Sequence, residues 1–373
     1  AGAGHQGPVM SLAQAFRDHG HDVFVAVPQR VAADVERSGL ACRSFADLDP
    51  EISASFWAGR KPGGDIGADN AVVCRELFGR LNTTAALPGM RAVINEVEPQ
   101  LIVREPFEPA SWLAAEAAGV PTVMVPCCTW SAIPSVTRLL HEGVRHLFTE
   151  LDIDPSNAAE QGARMVITAT PEALDAGCEL PKFVVRRGSR HPPHPRRAKG
   201  GRPRIFICFG TVAGHLPGIL SRIGPFVLEA VNGLDVDCDF PVGRGVDASQ
   251  LGKIPANVRV TDFLPAAEAI PGCRLTVCHG GYGTILATLT AGVPTLTLPL
   301  FSYDQWETAA AVARAGAGTV LDTSDQTSGN IAQAINSLLT DGTFAARAQQ
   351  IEREMQSHAT DSEIIQRVEE MVA

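Results

Sequence analysis

The chain has 373 residues, 45% of them hydrophobic and 19% charged, and a net charge of −10. This composition excludes a disordered or fibrous polymer, and the acidic balance excludes the broad positive field on which non-specific nucleic-acid binding depends. At roughly 100–200 residues per domain, the length predicts two domains.

The opening segment AGAGHQG is glycine-rich and reads as a loop. Such a loop normally follows a strand, so a first strand of about six to ten residues is expected to precede the sequence given. Gly2-x-Gly4-x-x-Gly7 also spells GxGxxG, which makes an NAD(P)-dependent oxidoreductase the alternative of another class. A dinucleotide site wants an acidic residue about 20 positions on, at the end of the next strand. The chain has Val27-Pro28-Gln29-Arg30 there. Pro8 to His19 carries apolar residues at helical spacing, and Asp22–Val27 reads as a buried strand. Further strands are predicted at Leu101–Arg104, Thr122–Val125, Met165–Thr168, Arg204–Phe209, Val258–Thr261, Leu275–Cys278 and Thr295–Leu298. Helical stretches separate most of them, as in parallel sheets covered on both faces, so the fold class is α/β.

Residues 186–203, RRGSRHPPHPRRAKGGRP, are polar and proline-rich and predict an extended linker between two units of similar size. His191 and His194 have HxxH spacing, but the two prolines between them keep a helix from aligning both on a metal. The carboxylates Asp152/Asp154 and Asp235/Asp237/Asp239 read as solvated rather than metal-binding. The nine cysteines (42, 74, 127, 128, 178, 208, 238, 273 and 278) form no CxxC pair and read as free thiols in a reducing cytosol. No uncharged apolar run reaches the roughly 18 residues of a membrane span. A cytoplasmic location is expected.

The strongest signal is CHGGYGTILATLTAGVPTLTLPLFSYDQ, residues 278–305. Leu275–Cys278 closes a strand, His279-Gly280-Gly281-Tyr282-Gly283-Thr284 is predicted as a turn, and a helix runs from Ile285 to Ala291. Gly292 and Pro294 then stop it. A glycine turn feeding a helix N-terminus aims several backbone N–H groups at one spot with the helix dipole behind them, a fit for phosphate. Thr284 adds a hydroxyl and His279 an imidazole. No lysine follows the glycines, so the motif is not a P-loop.

HGGxGT, the GVP turn and the DQ pair together resemble the donor-site signature of the GT-B glycosyltransferases. More narrowly, they resemble the bacterial enzymes that glycosylate antibiotics, of the macrolide and enediyne types, and other natural products. IPANVRVTDFLPAAEAI (254–270) is similar to the segment before HGG in that family, FGT (209–211) to the loop that ends the first strand of its second domain, and GHQGPVMSLAQAFRDHGHDV (4–23) to its GHxxP start. The resemblance implies two Rossmann-like domains whose parallel sheets face each other across a cleft. Residues 1–185 would bind the acceptor, 186–203 link the domains, 204–355 bind the donor, and 356–373 form a helical tail packing back on the first domain.

The resemblance also implies roles. Thr211, His279, Gly280, Gly281, Gly283 and Thr284 would neutralise the diphosphate, Asp304 and Gln305 would bind donor-sugar hydroxyls, and Phe263 and Leu264 would lie against the base. Phe263 reads equally as a core residue. His5 would be the general base, oriented by Glu105, which stands where many members carry Asp. Phe56, Trp57, Phe78, Trp112 and Trp130 are either core or walls of an apolar acceptor pocket. The implied activity is inverting, metal-independent transfer of a (deoxy)sugar from a nucleotide sugar, dTDP-linked, to a hydroxyl of an apolar aglycone in antibiotic biosynthesis. A UDP-sugar-dependent transferase and a nucleotide-sugar epimerase are the alternatives within the same architecture. No cofactor beyond the nucleotide-sugar co-substrate, no nucleic-acid partner and no membrane span is expected, and the chain would act as a monomer or homodimer.

Overall fold

The computed structural model describes residues 3–58, 66–154, 162–189 and 201–373. It divides into two compact units. The N-terminal unit comprises His5–Thr168, Glu179–Arg187 and Ala359–Ala373, and the C-terminal unit contains Ala169–Cys178 and Gly188–His358. The chain therefore passes between units at several points, not only within 186–203. His191 and His194 lie outside the described residues. No described helix is long and apolar enough to cross a membrane.

In the N-terminal unit, β1 (Phe24–Pro28) pairs in parallel with β2 (Ala41–Phe45), and β3 (Ile102–Arg104), β4 (Thr122–Met124), β5 (Ala163–Thr168) and β6 (Val184–Arg186) form a second parallel sheet in that order. Around them run α1 (Ala3–Asp18), α2 (Ala32–Arg37), α3 (Pro50–Ala58), α4 (Ile66–Val72), α5 (Thr83–Val97), α6 (Pro109–Ala118) and α7 (Ile133–Glu150). Between α4 and α5 the helix widens into a π-helical stretch, Val73–Asn82. That stretch packs backbone to backbone on α7: a Cβ at Gly143 would sit 2.2 Å from the Arg75 carbonyl oxygen, and one at Gly79 3.0 Å from the Leu140 oxygen. One face of the β3–β6 sheet is covered by Leu12, Ala15 and Phe16 of α1, and a separate core holds Trp112, Leu113, Leu147 and Phe148.

The C-terminal unit is built on one six-stranded sheet, all parallel, in the order β12-β11-β10-β7-β8-β9. Its strands are β7 (Arg204–Cys208), β8 (Asp237–Pro241), β9 (Val258–Thr261), β10 (Leu275–Cys278), β11 (Thr295–Thr297) and β12 (Gly318–Val320). The helices are α8 (Ile219–Val231), α9 (Ala266–Ala269), α10 (Tyr282–Thr290), α11 (Tyr303–Arg314), α12 (Ser328–Thr340) and α13 (Gly342–Gln356). Every residue of β10 and β11 is buried, as expected of central strands covered on both faces. The last helix, α14 (Asp361–Val372), belongs to the N-terminal unit, where Ile364, Ile365 and Val368 join the core of α1. Buried Arg187 ties the two helices, its Nε donating to Asp361 at 2.7 Å and a terminal nitrogen to the Ser11 hydroxyl at 3.1 Å. A capping box between Thr360 and Glu363 starts α14.

The structure corrects several sequence expectations. The opening glycine-rich segment is helical from Ala3, so His5, Gly4 and Gly7 lie in α1 and make no strand-to-helix loop for a dinucleotide. Pro8 sits inside that helix, where it forfeits the bond its N–H would make to the preceding turn. β1 is not buried on both faces: Phe24 is 41% exposed, with the Arg43 guanidinium 4.8 Å above its ring. β2, β6, β8 and β12 had no separate prediction, being three to five residues long and partly polar. The helix after HGG starts at Tyr282, three residues earlier than expected. Asp235 and Asp237 pair with Arg202, and Asp239 bonds Arg204 and Arg259 at 2.7 Å each.

Candidate active site

In the C-terminal unit, the carboxyl ends of β7 and β10 lie side by side, with Cys208 opposite Cys278. β10 runs into His279–Gly281 and α10 begins at Tyr282, with no side chain capping its N-terminus. The first-turn N–H groups, including those of Gly283 and Thr284, thus have no side-chain acceptor at the positive end of the helix dipole. Gly280 holds φ 86°, and a Cβ there would fall 2.7 Å from the Gln305 carbonyl oxygen, so the turn requires glycine on both counts.

His279 is pinned by backbone. A Cβ on Gly281 would lie 2.5 Å from its Nε2, and one on Gly210 2.8 Å from its Cε1, while Phe301 stacks at 6.3 Å. Burial pushes its pKa down to about 4, against the opposing pull of Asp304 and a hydrogen bond with the Cys208 backbone. The imidazole is therefore neutral near pH 7, and its buried Nδ1 has no protein partner among the described residues. Thr284 reaches the Cys208 thiol, whose pKa is raised by burial. Thr211 is exposed on the turn after β7.

Ser302 stands at the N-cap position of α11, and its hydroxyl donates to Asp304 in the first turn rather than to the helix backbone. Gln305 is buried, and its side-chain oxygen accepts from the N–H groups of Leu300 at 2.9 Å and Phe301 at 3.2 Å. Half of its amide is thus spent on shaping the loop after β11. Phe263 is 42% exposed and not a core residue; the Arg244 guanidinium lies 4.3 Å from its ring centre. Leu264 packs on the core that contains Phe206 and Ile270.

In the N-terminal unit, His5 and Glu105 are 100 positions apart and meet, Nδ1 to Oε2, at 3.5 Å. α1 carries the histidine, and Glu105 follows β3 at the sheet's carboxyl edge. The Phe107 N–H donates to the same Oε2 at 2.7 Å, which fixes the carboxylate, and the Phe107 ring stands edge-on to His5 at 4.8 Å. Cys127, just beyond β4, brings its Sγ within 3.5 Å of His5 Nδ1 and 3.7 Å of Glu105 Oε2.

Of the aromatic candidates, Phe78 lies in the π-helical stretch 6.4 Å from the His5 ring. Trp57 is half exposed and packs edge-on against Phe56. Trp130 is buried, its indole N–H donating to the Glu179 carbonyl at 2.8 Å. Trp112 is fully buried against Phe148 and His141 and serves packing rather than a pocket wall. Cys127, Phe107 and Gly210 had not been singled out for the site. Each follows a strand end, and that position at the carboxyl edge of a parallel sheet was the available signal.

Comparison with known proteins gives the family. Residues 227–371 match the C-terminal domain of the erythromycin biosynthesis protein CIII-like family. The chain is 30% identical to L-demethylnoviosyl transferase of Streptomyces niveus over 337 residues, 87% of this chain and 84% of that protein. It is 28% identical to the elloramycin glycosyltransferase of Streptomyces olivaceus over 390 residues, 98% and 94% of the two chains. The chain belongs to the bacterial natural-product glycosyltransferases. The crystal structure of the glycosyltransferase VinC in complex with dTDP is similar at a TM-score of 0.77 and 22% identity, covering 100% of this chain and 97% of that one, a likeness of fold. The protein is thus a glycosyltransferase of the GT-B type, with two α/β units on parallel sheets.

Proposed function

We propose that this glycosyltransferase moves a deoxysugar from a dTDP-linked donor to a hydroxyl of an apolar natural-product aglycone, with inversion and without a metal in the reaction. The observation that carries the reading is the approach of His5 Nδ1 to Glu105 Oε2. With Nδ1–H donated to the carboxylate, Nε2 is left as the acceptor nitrogen, the tautomer a general base needs. Nε2 takes the proton of the aglycone hydroxyl as its oxygen attacks the anomeric carbon. The bond to the diphosphate breaks on the opposite face, and one displacement inverts the centre.

The charge released passes to the diphosphate. The first turn of α10, Thr284, Thr211 and the neutral His279 supply donors for it, and no lysine or cation is needed to explain the set. A fixed neutral donor suits a leaving group that gains charge only as the bond breaks. Asp304 takes donor-sugar hydroxyls, with the Gln305 amide beside it. The open face of Phe263, with Leu264, takes the base, and the dTDP carried by VinC favours thymine over uracil. The N-terminal unit is the acceptor side, with Phe107 and Phe78 beside His5.

Incubation with dTDP- and UDP-linked sugars, each with and without polyketide or aromatic polyphenol acceptors, tests the proposal. A glycosylated product of inverted anomeric configuration, formed from the dTDP donor in the presence of chelator, is the expected result. Conversion of the nucleotide sugar without acceptor, or a retained configuration, overturns it.

A further inference from the structure

We propose that His5, Glu105 and Cys127 form a binding site for a zinc-class divalent ion, occupied through Nδ1, Oε2 and Sγ. The argument is geometric and stands apart from the catalytic role proposed for His5. Zinc bonds of about 2.0–2.1 Å to nitrogen, 2.0–2.2 Å to oxygen and 2.3 Å to sulfur, at tetrahedral angles, set the ligand atoms about 3.3–3.6 Å apart. Here the three edges are 3.5 Å (Nδ1 to Oε2), 3.5 Å (Sγ to Nδ1) and 3.7 Å (Sγ to Oε2). Three donors from α1 and from the ends of two adjacent strands therefore stand on one face of a tetrahedron before any ion arrives.

The surroundings fit as well. Glu105 is held by the Phe107 N–H, the kind of supporting bond that orients a metal-bound carboxylate. Cys127 is buried, and the Glu105 side chain is only 12% exposed, whereas His5 at 30% leaves an approach. One carboxylate, one thiolate and a neutral imidazole cancel the charge of a divalent ion, so the filled site buries no net charge. On binding, three metal–water bonds give way to metal–N, metal–O and metal–S bonds. The thiol proton of Cys127 passes to solvent, and the imidazole proton leaves Nδ1 while one from solvent is taken up at Nε2, so one proton is released in all. Three protein ligands leave the fourth position to water. The imidazole then carries its remaining proton on Nε2, the nitrogen that a general base must keep bare, so a filled site silences the reaction proposed above.

Cobalt(II) is the probe, because a thiolate ligand gives it a charge-transfer band in the near ultraviolet. Titration of the full chain should produce that band, saturating at one ion per chain and bleached by added zinc. Cys127→Ser should abolish the band, and Glu105→Gln should weaken affinity about 10–100-fold or more, since even outer-shell partners are worth that much. Thermal melts of each variant without metal show whether it folds. His5→Ala, on the exposed side, gives a second route to the same loss. No band in the parent chain overturns the proposal, and so does a band that survives Cys127→Ser and must come from other cysteines. Stoichiometric cobalt binding with undiminished sugar transfer supports the site and instead overturns the general-base reading of His5.

Discussion

Two histidines stand in contrasting surroundings. His5 is partly exposed and faces a carboxylate, whereas His279 is enclosed between glycine backbones and Phe301. If His5 is the base, His5→Ala lowers kcat about 10²–10⁴-fold while the calorimetric affinity for dTDP stays put. Unchanged turnover would remove the assignment. Thr284→Val should weaken donor binding, and a change confined to the acceptor KM would move the phosphate site elsewhere. His279 and His141 both have pKa values pushed down to about 4 by burial, from an ordinary 6.5. An imidazole whose folded pKa is depressed binds its proton more readily in the unfolded chain. Its contribution to stability is complete above about pH 6.5 and is lost as the pH falls toward 4, on the order of 2–3 kcal/mol for each group. Urea unfolding at pH 7 and pH 5 should show this slope, flattened in His141→Phe. An equal slope in that variant would refute the assignment for His141.

At the scale of elements, the two helix N-termini that matter are set by glycine and serine rather than by a run of caps. Gly281→Ala should push the His279 ring out of place and weaken dTDP binding, with the fold retained, because the added methyl meets the imidazole at 2.5 Å. Comparing dTDP titration with far-ultraviolet circular dichroism checks it; unaltered affinity would show that the ring can yield. α14 is tied to α1 through Arg187, which bonds Asp361 and Ser11. Arg187→Ala removes the ion pair with Asp361 and the bond to Ser11 and should cost about 3 kcal/mol. Hydrogen exchange should then rise over 361–372 before it rises in β10, and uniform protection would count against the tie. Most strands were legible in the sequence as short runs rich in β-branched residues: β9 and β10 have the predicted bounds, and β3, β4, β5, β7 and β11 differ at their ends by one or two residues. β8 was not, because DCDFP alternates charge with bulk, and its buried Asp239 is neutralised by Arg204 and Arg259 on the neighbouring strands. The π-helical stretch was not either. It packs closely through Gly79 against Gly143 of α7, about 60 residues on, a contact no local window contains.

For the whole molecule, the sequence by itself determined the α/β class, the strand-to-helix turn at HGG, the family resemblance and the candidate pair His5 and Glu105. Those are properties of short segments, in which periodicity, glycine placement and helix-stop residues act within a few positions. Only the tertiary structure decided that the pair meets, that Cys127 completes a triangle with it, that Trp112 is core, and that the chain passes between its units more than once. The physical reason is the same in each case. Contacts between strand ends, and closure of the last helix onto the first, join residues tens to hundreds of positions apart, and packing rather than local preference selects among them.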